Sequence, residues 1–166
     1  MHTNPITRRT MLAQAGALIS GLALATTRTA GATSPTKSAI AAGPAAAAGR
    51  ITLGGDMTVN RLGFGAMRVT GAGIWGDPPD IEEAKRVLRR VVELGVDFID
   101  TADSYGPETS ERLIAEALCP YPKGLIIGTK GGIVRPGPDK WERDGRPAHL
   151  REACEASLKR LRVERI

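Results

Sequence analysis

Strand-like and helix-like segments alternate along the second two thirds of this chain, and polar residues gather where the apolar strands end. A one-sided helix lies between two of those strands. Together these observations predict an α/β fold made of parallel βαβ units. Two architectures accommodate such units, the eight-stranded (β/α)8 barrel and the open doubly wound sheet. Both present ligand-binding groups at the C-terminal ends of their strands.

The first element begins at Ile51. Residues 51–60 alternate in polarity and turn at Gly54-Gly55-Asp56, which predicts a short hairpin that plugs or caps the strands and helices after it. Residues 61–68 form a candidate first core strand, glycine-rich where another backbone or a ligand comes close. Asp80, with Glu83 three residues on and Pro78-Pro79 before it, predicts a helix start. Ile81, Ala84, Val87, Leu88, Val91 and Leu94 then recur at helical spacing, and Gly95 supplies the stop. A strand is expected over 96–102, a second helix over 110–118 ended by Pro120, a third strand over 125–130, a long loop over 131–147, and a third helix over 148–161. Leu161-Arg162-Val163 repeats the pattern of Leu94-Gly95-Val96, so 161–166 is expected to enter a fourth strand. Three complete strand-helix units against the eight of a closed barrel imply an incomplete barrel, truncated inside that strand.

Charge divides the chain differently. The first 48 residues hold Arg8, Arg9, Arg28 and Lys37 and no acid, leaving 19 basic against 18 acidic residues in the body and most of the net charge of +5 in the leader. A nearly neutral body does not suggest a nucleic-acid-binding surface, and no nucleic-acid partner is expected. Arg8-Arg9 followed by the mildly apolar run 13–25 and small residues has the layout of a secretory leader and resembles a twin-arginine signal. The run is shorter than the ~20 residues of a spanning helix, so no stable membrane insertion is expected after cleavage. The organisation expected is a signal over 1–32, an Ala/Gly/Pro-rich linker over 33–49 and the folded portion over 50–166. Export by the twin-arginine machinery, to the periplasm or outside, is the consequence of such a signal; an unused signal leaves the protein cytoplasmic. Cys119 and Cys154 lack metal-ligand spacing and read as small buried apolar residues on helices, although export permits a disulfide between them. No metal site is expected, and His149 reads as a surface or helix-start residue.

Asp100, Tyr105 and Lys130 stand at the ends of two predicted strands. Singly, each has an ordinary role: a turn-capping Asp, a loop aromatic, a solvated lysine. Jointly they supply what reduction of a carbonyl needs, a phenol to protonate the developing alkoxide, an ammonium to stabilise the phenolate left behind, and a carboxylate to hold the ammonium. Gly71 to Gly76 spells G-x-G-x-x-G but leads into Asp77-Pro78-Pro79 instead of a helix, so it is not read as a phosphate cradle.

The stretch Gly-Val-Asp-Phe-Ile-Asp-Thr-Ala-Asp-Ser-Tyr-Gly-Pro-Glu-Thr-Ser-Glu (95–111) resembles a signature of the aldo-keto reductases. Ile-Gly-Thr-Lys-Gly-Gly around Lys130, Leu-Gly-Phe-Gly-Ala-Met (62–67) and Ser157 to Leu161 match further family segments, so the resemblance covers 50–166. It selects the barrel. It implies Asp100, Tyr105 and Lys130 as catalytic residues, with a fourth member, a histidine, further along than Ile166. It also implies NADPH, with NADH possible, its nicotinamide end against Gly65, Ala66, Met67 and Asp100. The substrate implied is a small aldehyde or ketone. Trp75 and Trp141 lie on loops after strand ends, where such residues serve either as substrate-pocket walls or as ordinary loop packing. The alternative is a non-catalytic binding or regulatory protein on the same scaffold, as in the potassium-channel β subunits.

Overall fold

The computed structural model describes residues 39, 40 and 42–166, so the signal reading over 1–32 lies outside the described residues. Helix α1, Ile81–Glu93, starts where Asp80 Oδ1 accepts the Glu83 N–H at 2.8 Å. That bond satisfies one of the donors left free at a helix start. The helix stops in a paired motif: the Gly95 N–H donates to Val92 O and the Val96 N–H to Val91 O, with Gly95 at φ +84°. Helix α2 is Thr109–Leu118 and α3 is Pro147–Arg160. The repeat between Leu94-Gly95-Val96 and Leu161-Arg162-Val163 is a repeat of this stop. The Arg162 N–H donates to Lys159 O and the Val163 N–H to Leu158 O, and Arg162 takes the left-handed position at φ +55° without being glycine.

Three parallel strands carry the molecule: β3, Phe64–Gly65; β4, Phe98–Asp100; and β5, Ile126–Gly128, in the order β3-β4-β5. Before them, β1 (Arg50–Leu53) and β2 (Met57–Asn60) form the expected antiparallel hairpin. Register sorts the strand residues by face. Phe64, Ile99 and Ile127 align and belong with the apolar core that includes Leu88, Leu113, Ile114 and Leu161. Gly65, Asp100 and Gly128 align on the alternate positions, so side chains in this row point to the opposite face.

The hairpin docks at the start of β4, the end away from Asp100. Asn60 N–H donates to Asp97 Oδ1 at 2.8 Å, Asn60 Nδ2 to Gly95 O at 2.7 Å, and Arg50 pairs with Asp97 at 3.5 Å. One end of the sheet is thus closed by polar anchors, and Asp100 stands at the other.

Several expectations are corrected. The first core strand does not run over 61–68: after Gly65 the chain coils into a 3₁₀ turn, Ala66–Val69, because the Ala66 carbonyl is taken by Ser110 Oγ at 3.1 Å instead of a strand neighbour. Of the linker expected over 33–49, residues 33–38 and 41 lie outside the described residues, and from Gly43 onward the chain packs against the body. Ala45 is buried and donates to Leu94 O, and a Cβ on Gly43 would fall 2.4 Å from the Leu94 carbonyl group. The loop over 131–147 contains a hairpin of β6, Ile133–Val134, and β7, Glu142–Arg143. Residues 161–166 form a turn and coil, not a strand, since the helix stop occupies Arg162 and Val163 and no ladder to β5 is formed there. Cys154 is exposed and Cys119 half-buried, both as free thiols, so the buried apolar role does not hold for Cys154.

Candidate active site

Lys130 is the hub of the open end. Its Nζ donates to both Asp100 carboxylate oxygens at 2.8 Å, to Thr101 O at 3.0 Å and to the Tyr105 hydroxyl oxygen at 3.4 Å. The ammonium also lies 5.2 Å from the centre of the Tyr105 ring. Partial burial disfavours the charged amine, but the hydrogen bonds to Asp100 and Tyr105 outweigh it and hold Lys130 above its ordinary value. Lys130 is therefore a fixed cation, with the Tyr105 oxygen among its acceptors.

The three residues meet because β4 and β5 are in parallel register and end together. Asp100 lies opposite Gly128, Thr101 N–H donates to Gly128 O at 2.8 Å, and Asp103 N–H donates to Lys130 O at 3.2 Å. Tyr105 is held by its own backbone. The first turn of α2 donates Ser110 N–H to Tyr105 O at 3.0 Å, and Gly76 N–H donates to Gly106 O at 2.6 Å. Gly106 sits at φ +99°, where a Cβ would lie 2.4 Å from Thr109 Cβ; only glycine fits this close turn.

The four residues expected at the nicotinamide end are not equivalent. A Cβ on Gly65 would meet nothing within 4 Å, so bare backbone and open space adjoin Asp100 in the same register row. That open space beside Asp100 leaves room for a flat ring. Ala66, by contrast, is fully buried with its carbonyl engaged, and Met67 is half-buried in the 3₁₀ turn. The G-x-G-x-x-G segment is a tight loop: Gly71 N–H donates to Gly76 O, a Cβ on Gly71 would fall 2.4 Å from Trp75 O, and Gly73 and Gly76 have φ of +65° and +63°. These glycines permit the loop's own close packing.

Behind Lys130 stands a buried ion pair that sequence reasoning missed. Glu111 is 0% exposed; it accepts from Thr129 Oγ1 at 2.6 Å and from Arg160 Nε at 2.6 Å. Arg160 also reaches Glu108 at 3.1 Å, so the end of α3 is tied to the start of α2 and to the residue preceding Lys130. Nearby, burial first and the Glu111 charge second push the Asp103 carboxyl above the ordinary carboxylate range. A carboxyl raised in the folded state binds its proton more tightly there than when unfolded. Its ionisation therefore works against the fold, with no penalty below the unfolded pKa of about 4 and a growing one above it. Asp103→Asn is expected to raise the melting temperature of the full-length protein near neutral pH and to leave it unchanged at about pH 3. An equal shift at both pH values, or a drop at neutral pH, would contradict this account.

Trp75 and Trp141, expected as pocket walls, both engage Arg135. The guanidinium carbon lies 3.6 Å from the Trp141 ring centre and 5.5 Å from that of Trp75. One face of Trp141 is thereby occupied, although the residue is 42% exposed. Trp75 pairs with Gly106 in a single parallel bridge, beside Tyr105. Arg135 donates to the carbonyls of Lys140, Ile74, Ser104 and Gly73 at 2.8 to 3.1 Å. His149 stands in the first turn of α3, 3.9 Å from Asp144, where it takes no part in the Lys130 cluster.

The aldo/keto reductase family model matches residues 61–166. An uncharacterized oxidoreductase of Schizosaccharomyces pombe is 60% identical over 112 residues, covering 68% of this chain and 36% of that protein. Pyridoxine 4-dehydrogenase of Escherichia coli is 43% identical over 110 residues, covering 66% and 38%. Among solved structures, the glycerol dehydrogenase of Gluconobacter oxydans matches with TM-score 0.61 at 36% identity, over 71% of this chain and 37% of that one. An aldo-keto reductase of Bacillus halodurans in its holo form matches with TM-score 0.58 at 32% identity, over 69% and 37%. The chain thus spans less than two fifths of the length of these curated relatives. Of the two architectures open to the strand-helix pattern, the neighbours select the (β/α)8 barrel, and β3, β4 and β5 with their helices are part of one. By fold and by sequence, the chain belongs to the aldo/keto reductase family.

Proposed function

We propose that Asp100, Tyr105 and Lys130 form the acid-base part of a site that reduces an aldehyde or ketone to an alcohol with NADPH, or with NADH. The observation that carries this reading is the single ammonium bonded to both Asp100 oxygens and to the Tyr105 oxygen, at the strand ends where such barrels bind ligands. The reduced nicotinamide, when bound, supplies the hydride. Gly65 and Asp100 are the residues proposed to hold its ring, on the open space beside Gly65. Tyr105 donates its hydroxyl proton to the substrate oxygen. Lys130, kept charged by Asp100, stabilises the phenolate left behind. Trp75, next to Gly106, remains the better-placed pocket wall. The pyridoxine and glycerol dehydrogenases among the relatives support alcohol-carbonyl chemistry, in which the same tyrosine serves as base in the reverse direction.

The reading concerns the full-length protein, in which the histidine implied by the family would orient the carbonyl. Full-length protein is expected to oxidise reduced nicotinamide only when an aldehyde or ketone is present, and to lose that turnover on Tyr105→Phe. Cofactor binding with no turnover on any carbonyl would instead favour a non-catalytic nucleotide-binding role.

Residues 1–32 are proposed to export the protein, on the strength of Arg8-Arg9 and the apolar run after them. Fused to a folded reporter, they are expected to carry it out of the bacterial cytoplasm, and Arg8→Lys with Arg9→Lys to stop it. A reporter that stays inside regardless would refute the signal.

A further inference from the structure

We propose that Arg135 is a positioning residue for Tyr105, holding the peptide that carries the phenol in line with Lys130. The proposal rests on Tyr105 being the proton donor. Arg135 is 9% exposed, and a guanidinium so buried commonly meets a carboxylate. Among the described residues none pairs with it. Its charge is met instead by backbone oxygens and indole rings: Nη1 donates to Ile74 O at 3.0 Å and to Ser104 O at 3.1 Å, Nη2 to Gly73 O at 3.1 Å, and Nε to Lys140 O at 2.8 Å.

Those four oxygens lie on three separate segments: the loop after β3, the loop after β4, and the connection between β6 and β7. The oxygen on the loop after β4 is the important one. Ser104 O belongs to the peptide group whose nitrogen is that of Tyr105, so Arg135 fixes the peptide plane on the N-terminal side of the tyrosine. Ser110 N–H fixes the plane on the C-terminal side through Tyr105 O at 3.0 Å. The neighbouring loop is drawn to the same place, since the segment Gly73 to Ile74 bound by Arg135 continues into Trp75 and Gly76, which pair with Gly106. The Lys130 to Tyr105 contact of 3.4 Å is already long for a hydrogen bond, so a small displacement of this peptide would break it.

The geometry requires arginine. Five N–H donors in a rigid planar fork can reach several carbonyls at once, whereas a lysine ammonium is a single point. The face of the fork is supported by Trp141 at 3.6 Å, so that ring belongs to the same device.

The test uses the full-length enzyme and measures hydride transfer in a single turnover, together with cofactor affinity by fluorescence titration. Arg135→Lys is expected to slow hydride transfer about 10- to 100-fold, the effect of a misplacement on the order of 1 Å, with cofactor affinity unchanged within about twofold. In a Tyr105→Phe background the same substitution is expected to cost less than about threefold, because its effect passes through the phenol. Trp141→Ala, at a partly exposed position, is expected to slow transfer about fivefold and Trp141→Phe to restore it, which tests the device should Arg135→Lys fail to fold. Full additivity in the double variant, or a Trp141→Ala rate equal to the parent, would overturn the proposal. A Tyr105→Phe slowed as expected beside a fully active Arg135→Lys would refute the positioning role alone. A fully active Tyr105→Phe would refute the reading of Tyr105 as the acid, and the positioning role with it.

Discussion

Tyr105→Phe is expected to lower the rate of carbonyl reduction by about 10²- to 10⁴-fold, the usual worth of a positioned general acid. Phenylalanine keeps the ring that Lys130 faces at 5.2 Å and removes only the hydroxyl. The loss is therefore expected in the rate of the chemical step, with cofactor affinity preserved. Lys130→Met is expected to show a comparable loss by a different route. It leaves the hydroxyl in place but removes the cation that stabilises the phenolate, and it strands the Asp100 carboxylate, both of whose oxygens now accept from Nζ at 2.8 Å. Single-turnover measurements on the full-length protein check both, and a rate within about threefold of the parent for Tyr105→Phe would remove the phenol from the mechanism.

Glu111→Ala is expected to destabilise the protein by about 3 kcal/mol, the lower end of the cost of breaking a buried ion pair. The lower end applies because Arg160 keeps a partner in Glu108 at 3.1 Å and is itself 17% exposed. Thr129 Oγ1 would also lose its acceptor. The cost should come largely from the charge left behind, so Glu111→Ala combined with Arg160→Met is expected to be more stable than Glu111→Ala alone. Urea unfolding of the full-length variants measures both differences. A loss below about 1 kcal/mol would show that the pair is solvated in practice. Activity is expected to fall as well, because Thr129 precedes Lys130 in the chain.

The helices were legible because their signals are local. Asp80 caps α1 through a residue three positions away, and Gly95 ends it within a single turn. Asp100, Tyr105 and Lys130 were legible as candidates because apolar strand runs mark where strands end, and strand ends are where such folds place ligands. The short β3 was not legible. Whether residues 66–69 continue as strand depends on Ser110, 44 positions from Ala66, capturing the Ala66 carbonyl. Arg135 left no readable pattern at all. Its partners are main-chain oxygens, which every residue type carries, and the side chains near it, Trp75 and Trp141, suggested a pocket lining when taken separately.

The amino-acid sequence by itself determined the alternation of strand and helix, the helix stops and the identity of an acid, a phenol and an amine near two strand ends. Each of these depends on neighbours a few positions apart. Only the tertiary structure decided that one ammonium contacts both Asp100 and Tyr105, that Glu111 is buried against Arg160, and that Arg135 ties three segments together. Those contacts span up to 62 positions, and parallel register and packing bring them within hydrogen-bond reach.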